Sequence, residues 1–257
     1  MKKTLSICLF YLISFNIIIS QTIVKDTLNT RLWSITGGIH LFTKQIVKPN
    51  YEPLAGLKIY SKPTYDFDLE ITRYIKLKKN WSSSLGFRLG YLSSDVGVDI
   101  AENITRDSYA FDDYGKGSLP YVAIKGLVNV KVFEKNKLSI QQSLGSSFVL
   151  IPHGFANYSI SSLSSGILVP YYISKGFYNP NSLPFFSALS ETSLICTKKG
   201  EKKWILSLSF EIAPKDAIVS NYTFYTKTTE LKGTMTRRYQ QMGLEFGWFW
   251  TTKKRKN

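Results

Sequence analysis

His40 and His153 are the only imidazoles in the chain, and Asp66, Asp68 and numerous serines supply the other parts of an acyl-transfer group. In such a group a histidine takes the proton of a serine hydroxyl while a carboxylate orients the imidazole. Two histidines can also begin a metal site, but no clear third ligand accompanies them. The His–Asp–Ser spacing matches no motif and serine is abundant along the whole chain, so the expectation is no catalytic residue, no metal and no cofactor. His40 and His153 then read as polar residues of uncertain role. A second set says more: Asp68, Glu70, Arg88, Lys125, Lys131, Glu211 and Glu245 all fall on the polar side of segments that alternate polar with apolar. Acids and bases are close to balance in that set, as an enclosed face needs if its charges are to pair.

The elements that must position these charges are strands. In residues 65–92, Tyr65, Phe67, Leu69, Ile71, Ile75 and Leu77 alternate with Asp66, Asp68, Glu70, Thr72 and Lys76. After Lys78, Lys79 and Asn80 the pattern restarts as Trp81, Leu85, Phe87, Leu89 and Tyr91 against Ser82, Ser84, Gly86, Arg88 and Gly90. A period of two gives each run one apolar and one polar face. Pairing Leu77 with Trp81 leaves a three-residue loop, with Asn80 suited to a left-handed position. That register sets Leu69 against Leu89, Phe67 against Tyr91 and Glu70 against Arg88, apolar with apolar and acid with base.

Six further segments read the same way. Trp33, Ile35, Ile39 and Leu41 share a face in 33–42; Val122, Ile124, Val128, Val130 and Val132 do so in 119–133, opposite Lys125 and Lys131. Leu138, Ile140, Leu144, Phe148 and Leu150 share a face of 138–150 that Gln142 and Ser146 weaken. The faces of 185–197 are not distinguishable. Trp204, Leu206, Leu208, Phe210 and Ile212 oppose Ser207, Ser209 and Glu211 in 204–213, and Met242, Leu244, Phe246, Trp248 and Trp250 oppose Gln241, Gly243, Glu245 and Gly247 in 238–251. Eight strands result, joined by connections that alternate long and short. Residues 43–64, 93–118, 151–184 and the stretch after Ala213 read as polar, irregular connections, although 158–173 could hold a hairpin that would make ten strands.

The chain has 257 residues and a formal charge of +15. Lys2-Lys3, the apolar run LSICLFYLISFNIII and Ser20-Gln21 predict a secretory signal peptide over 1–20. Its removal takes Lys2 and Lys3 from the 33 basic residues and none of the 18 acids, lowering the charge to +13, and leaves Cys196 with no partner for a disulfide. No later run is long and apolar enough for a membrane helix. Export and the lack of any motif exclude nucleic acid as the partner of the positive charge. Residues 252–257 read as a basic, disordered tail after a barrel domain over 21–251.

Alternation alone suits a soluble sandwich as well as a membrane barrel. Three features favour the barrel, with its apolar faces outward. All long connections lie at one end; the charged faces are balanced; and Trp33, Trp81, Trp204, Trp248 and Trp250 lie on apolar faces near the short-turn end, where indoles suit a headgroup interface. Tyr65 and Tyr91 would mark the opposite girdle. Arg73 falls on the apolar face and must snorkel towards the headgroups. The signal peptide, eight strands, three tight turns and closing segment GLEFGWFW resemble the small outer-membrane barrels of OmpA/OmpX type, and the loop-rich style resembles the Bacteroidota outer-membrane β-barrel proteins. Such barrels usually end on the aromatic residue that assembly machinery recognises; here residues 251–257 follow Trp250. The resemblance implies an all-β, eight-stranded antiparallel up-and-down transmembrane barrel in the outer membrane, with lipid, lipopolysaccharide, the barrel assembly machinery and an extracellular ligand as partners, and a structural or binding role. It also leaves two alternatives: an enzyme acting on outer-leaflet lipid through rim residues His40 and His153, or a small diffusion pore, which eight strands disfavour because side chains fill so narrow an interior.

Overall fold

The computed structural model describes residues 30–43, 46–101, 111–151, 156–164, 167–178, 184–226 and 228–253. The expected signal peptide, His153 and residues 254–257 lie outside them. Twelve strands form among the described residues: β1 (Thr30–Phe42), β2 (Ile46–Pro49), β3 (Leu57–Tyr60), β4 (Thr64–Lys76), β5 (Trp81–Ile100), β6 (Phe111–Lys135), β7 (Leu138–Leu150), β8 (Ala156–Ser164), β9 (Ile167–Tyr178), β10 (Phe185–Lys198), β11 (Glu201–Tyr225) and β12 (Glu230–Lys253). Eight of them, in the order β12-β1-β4-β5-β6-β7-β10-β11, pair antiparallel, and β11 pairs back onto β12. The result is a closed eight-stranded barrel with no free edge, its backbone groups satisfied around the ring.

Three tight turns sit at one end. The β6–β7 turn places Asn136 at φ 54° and the β10–β11 turn places Lys199 at φ 54° before Gly200 at φ 78°. The β4–β5 turn departs from expectation, because Asn80 does not take a left-handed conformation. Leu77 N donates to Trp81 O at 3.0 Å and Trp81 N to Lys78 O at 3.3 Å, so a four-residue turn closes the hairpin without a positive φ. Beyond the turn the register is as read: Glu70 faces Arg88 and Leu69 faces Leu89, the ladder ending at Asp68 and Gly90, one pair short of Phe67 and Tyr91.

Away from the turns, the connections read as irregular carry strands of their own. β5, β6, β11 and β12 run well past the ends of β1, β4, β7 and β10, and new strands replace those that have ended. β2 pairs with β12 over Thr236–Gly233 where β1 has stopped, and β3 pairs with β5 over Gly97–Ile100 where β4 has stopped. The hairpin expected within 158–173 exists as β8 and β9. It does not enlarge the barrel wall to ten strands, because β9 pairs with the extension of β11 over Ile218–Phe224 and β8 lies beside β6.

Burial inverts along these strands. In the barrel, Tyr65, Phe67 and Leu69 are 63, 66 and 50% exposed while Asp66, Asp68 and Glu70 are buried. In the extension, Val96, Val98, Ile100, Tyr222, Phe224 and Met235 are buried together, with Val47, Leu57 and Ile59 packed on them. The extension has the apolar inside of a water-soluble sheet, and the barrel has the apolar outside of one made for hydrocarbon.

Candidate functional site: the charged lumen

Arg88 lies at the centre of the barrel, 1% exposed, and meets four carboxylates. Its Nε is 3.1 Å from both Asp68 Oδ2 and Glu70 Oε2, Nη1 is 2.8 Å from Glu211 Oε2, and Nη2 is 3.3 Å from Glu245 Oε1. A planar fork of five N–H groups can serve partners from several strands at once, which a lysine cannot do. Lys125 Nζ bridges Glu70 Oε2 at 2.7 Å and Glu191 Oε2 at 3.1 Å. His40 Nε2 is 2.8 Å from Asp68 Oδ2 and 3.9 Å from Glu245 Oε1. These residues come from β1, β4, β5, β6, β10, β11 and β12, so the cluster ties nearly the whole ring together.

One expected member leaves and one unexpected member joins. Lys131 does not join the cluster: a bulge between Lys131 and Phe133 ends the regular alternation, and its ammonium pairs with Glu134 at the turn, 32% exposed. Glu191 takes a place that its mixed strand concealed. The near balance expected from the sequence is therefore lost. Five carboxylates face the two permanent cations Arg88 and Lys125. Neutral donors supply further hydrogen bonds: Ser209 to Glu245 at 3.0 Å, Ser193 to Glu191 at 3.0 Å, Gln241 to Glu211 at 2.6 Å, and Thr72 and Ser187 to Glu70 and Glu211.

Apolar layers seal the cluster on both sides. Towards the turns, Ile195, Ile205 and Phe249 pack with Leu32 and Tyr74, and Lys202 Nζ stands 5.5 and 5.4 Å from the Tyr74 and Phe249 ring centroids. On the other side Tyr239 is flanked by Phe42, Tyr121 and Phe185 at 5.9, 5.9 and 5.2 Å, edge to face. Glycines leave room for these large groups: a β carbon at Gly243 would lie 2.3 Å from His40 Cε1, and one at Gly90 would lie 2.7 Å from the Tyr121 ring. Above this layer Arg237 forms a second buried ion pair, Nη2 to Asp95 Oδ1 at 2.9 Å, and donates from Nη1 to Thr64 Oγ1 at 2.8 Å. Ser61 Oγ and Lys62 N, from the β3–β4 linker, donate to the same aspartate at 2.8 and 2.6 Å.

His40 was expected at the outer rim beside Asp66 and Asp68. It is instead enclosed in the lumen, 1% exposed, because its position on β1 faces inward beneath the aromatic layer. Asp66 bonds elsewhere, accepting from Ser93 N at 2.7 Å. Trp81, Trp204, Trp248 and Trp250 are exposed near the turn end, and half-buried Trp33 stacks on Trp250 at 6.4 Å. Tyr65 and Tyr91 are exposed at the other edge of the apolar band. Arg73 has its Cζ 5.9 Å from the Trp33 ring centroid, a cation–π contact.

Sequence reasoning missed Glu191, Asp95 and Arg237. Glu191 had a signal, as the one acid in its strand; a lone charge among Ala, Leu, Ser and Ile marks the enclosed face.

No protein-family model and no curated protein sequence matches the chain. Similar solved structures include the outer membrane protein OprG from Pseudomonas aeruginosa, 10% identical with a TM-score of 0.42 over 85% of this chain and 95% of that one. The attachment invasion locus protein Ail of Yersinia pestis, in complex with the heparin analogue sucrose octasulfate, is 12% identical with a TM-score of 0.33 over 86 and 99% of the two chains. The β domain of the Bordetella autotransporter BrkA is 9% identical with a TM-score of 0.26, covering 86 and 99%.

Proposed function

We propose that the chain is an integral outer-membrane β-barrel with a sealed lumen and a structural or binding role rather than a catalytic one. The observation that carries this is the inverted burial of the barrel. A belt of large apolar side chains, including Phe67, Leu85, Phe87, Leu89, Leu208, Leu244 and Phe246, is exposed around a charged interior. Soluble monomers rarely expose more than a few hundred Å² of contiguous apolar surface; in a bilayer such a belt is the favourable face, and closure leaves no backbone group unpaired in hydrocarbon.

The tryptophan-bearing turn end faces the periplasm in this reading and the extension projects outward. Lipid, including lipopolysaccharide at the outer rim, surrounds the belt; the barrel assembly machinery inserts it; and the extension holds an extracellular ligand. The apolar layers above and below Arg88 support a closed interior rather than a pore. Enclosure of His40 supports a non-enzymatic role, since it faces no lipid. The test is expression with the native leader followed by fractionation and electrophoresis with and without boiling. The protein is expected in the outer-membrane fraction, running faster unboiled than boiled, with no channel steps in planar bilayers and no change in lipid A mass spectra. A soluble protein insensitive to boiling would overturn the reading.

A further inference from the structure

An open groove lies on the outside of the β6–β7 turn. The bulge between Lys131 and Phe133 leaves the consecutive residues Val132 and Phe133 both exposed. Leu138 is exposed across the turn, paired with Lys135. Phe133, Lys135, Asn136, Lys137 and Leu138 line a space of about 550 Å3, within the roughly 300–1,000 Å3 of ligand sites. Its apolar rim is level with the tryptophans: Leu138 pairs with Cys196, Cys196 with Trp204 and Trp204 with Trp248. Beyond that rim the lining is basic.

The charge of this lining is not matched within the chain. Glu134, the acid of the turn, is taken by Lys131 at 2.5 Å, and among the described residues no carboxylate lies within 4 Å of the Lys135 or Lys137 ammonium. Thr197 N and Oγ1 both donate to Lys137 O, at 2.7 and 3.2 Å, so the exposed Lys198 of the next turn stands alongside. A lysine lays its stem on apolar surface and carries a compact point charge at its tip, which suits a phosphate. A zwitterionic headgroup brings its own cation and leaves the surplus in place, whereas an anionic one neutralises it. Resting on the membrane-barrel reading above, we propose that the groove binds one anionic glycerophospholipid of the periplasmic leaflet. Its phosphodiester lies between Lys135 and Lys137 and an acyl chain runs over Val132, Phe133 and Leu138. Each such lysine strengthens the contact about fivefold.

The test is native mass spectrometry of the protein purified in a neutral detergent and titrated with phosphatidylglycerol, phosphatidylcholine or glycerol phosphate. One phosphatidylglycerol is expected to bind at least tenfold more tightly than phosphatidylcholine, with glycerol phosphate alone not retained. Lys135→Gln combined with Lys137→Gln should weaken that binding about twenty-fivefold while the barrel stays heat-modifiable. Leu138→Ser should weaken it too, with no change of charge. Lys78→Gln combined with Lys79→Gln removes the same charge from the β4–β5 turn and should change it less than twofold. Equal binding of the two lipids by a heat-modifiable barrel would overturn the proposal and leave the barrel reading intact. An equal loss from the two lysine pairs would also overturn it, in favour of a diffuse basic surface, and retention of glycerol phosphate would do so in favour of a free-phosphate site. A protein that stays soluble without detergent would overturn the barrel reading and the lipid site with it.

Discussion

The barrel and its extension share β5, β6, β11 and β12 yet bury opposite chemistry. Along β5 the same parity faces inward throughout: Ser84 and Arg88 in the barrel, then Leu92, Val98 and Ile100 in the extension. Along β12 Glu245 and Gln241 give way to Tyr239 and Met235. Neither strand turns over at the transition; only the residue types change, and with them the solvent that each outer face accepts, whereas in β11 register shifts between Ile212 and Ile218 move the inward set from Ile205, Ser207, Ser209 and Glu211 to Ile218, Ser220, Tyr222 and Phe224. Inside and outside are thus assigned by the surroundings of each level, while the pleat merely separates two faces.

The largest expected effect is on the charged level. Arg88→Ala leaves four carboxylates around an enclosed space, and loss of one side of a buried ion pair costs about 3–5 kcal/mol, read as a lower urea midpoint for unfolding from lipid vesicles. Glu70→Ala should cost less, because four acids remain around Arg88 and Lys125 and like-charge repulsion falls. Combining the two should recover only part of the Arg88→Ala loss, since Asp68, Glu211 and Glu245 still lack their cation.

Next in size is a charge placed on the outer faces of the two levels. Phe87→Arg puts a guanidinium on the apolar belt and should cost about 2–4 kcal/mol in the same assay. Asp99→Arg, on the exposed outer face of β5 in the extension, should stay within about 0.5 kcal/mol of the parent. Equal costs at the two positions would erase the distinction between the levels.

A smaller effect is expected inside the extension. Val98 is fully buried there, and Val98→Ala should cost roughly 1–2 kcal/mol as lost burial plus cavity. Faster amide exchange should appear at residues 96–100 and 222–235, with none in the barrel strands, because the two cores are separated by the Tyr239 layer.

The barrel was readable because its two faces differ sharply. In the barrel part of β4 and β5, residues 64–90, nearly every inward residue is polar or glycine and nearly every outward one is large and apolar, so both strand identity and the Glu70–Arg88 register followed. In β10 the inward face mixes Ser187, Glu191 and Ser193 with Leu189 and Ile195, while the outward face carries Ala188, Ser190 and Thr192. Neither parity wins, and Glu191 was lost with the assignment. The extension was hidden for a different reason. Where β4 ends, Ser93, bonded to Asp66 of β4, and Asp95, bonded to the β3–β4 linker, are buried although they lie on the parity that faces outward below, which breaks the alternation just before Val96. Register shifts between Ile212, Asp216 and Ile218 do the same in β11. The Asp95–Arg237 pair spans 142 positions, and its contact depends on ring closure, which a local period does not encode.

A cysteine scan along β5 in a Cys196→Ser background tests the inversion most directly. Single cysteines at Ser84, Leu85, Phe87, Leu89, Val98 and Asp99 would carry nitroxide labels in reconstituted protein, with collision rates measured for oxygen, which partitions into lipid, and for a water-soluble nickel complex. Labels at Leu85, Phe87 and Leu89 should favour oxygen, the label at Asp99 should favour nickel, and those at Ser84 and Val98 should be shielded from both. Nickel access at Leu85, Phe87 and Leu89 equal to that at Asp99 would contradict the account, because the apolar face of β5 would then meet water along its whole length.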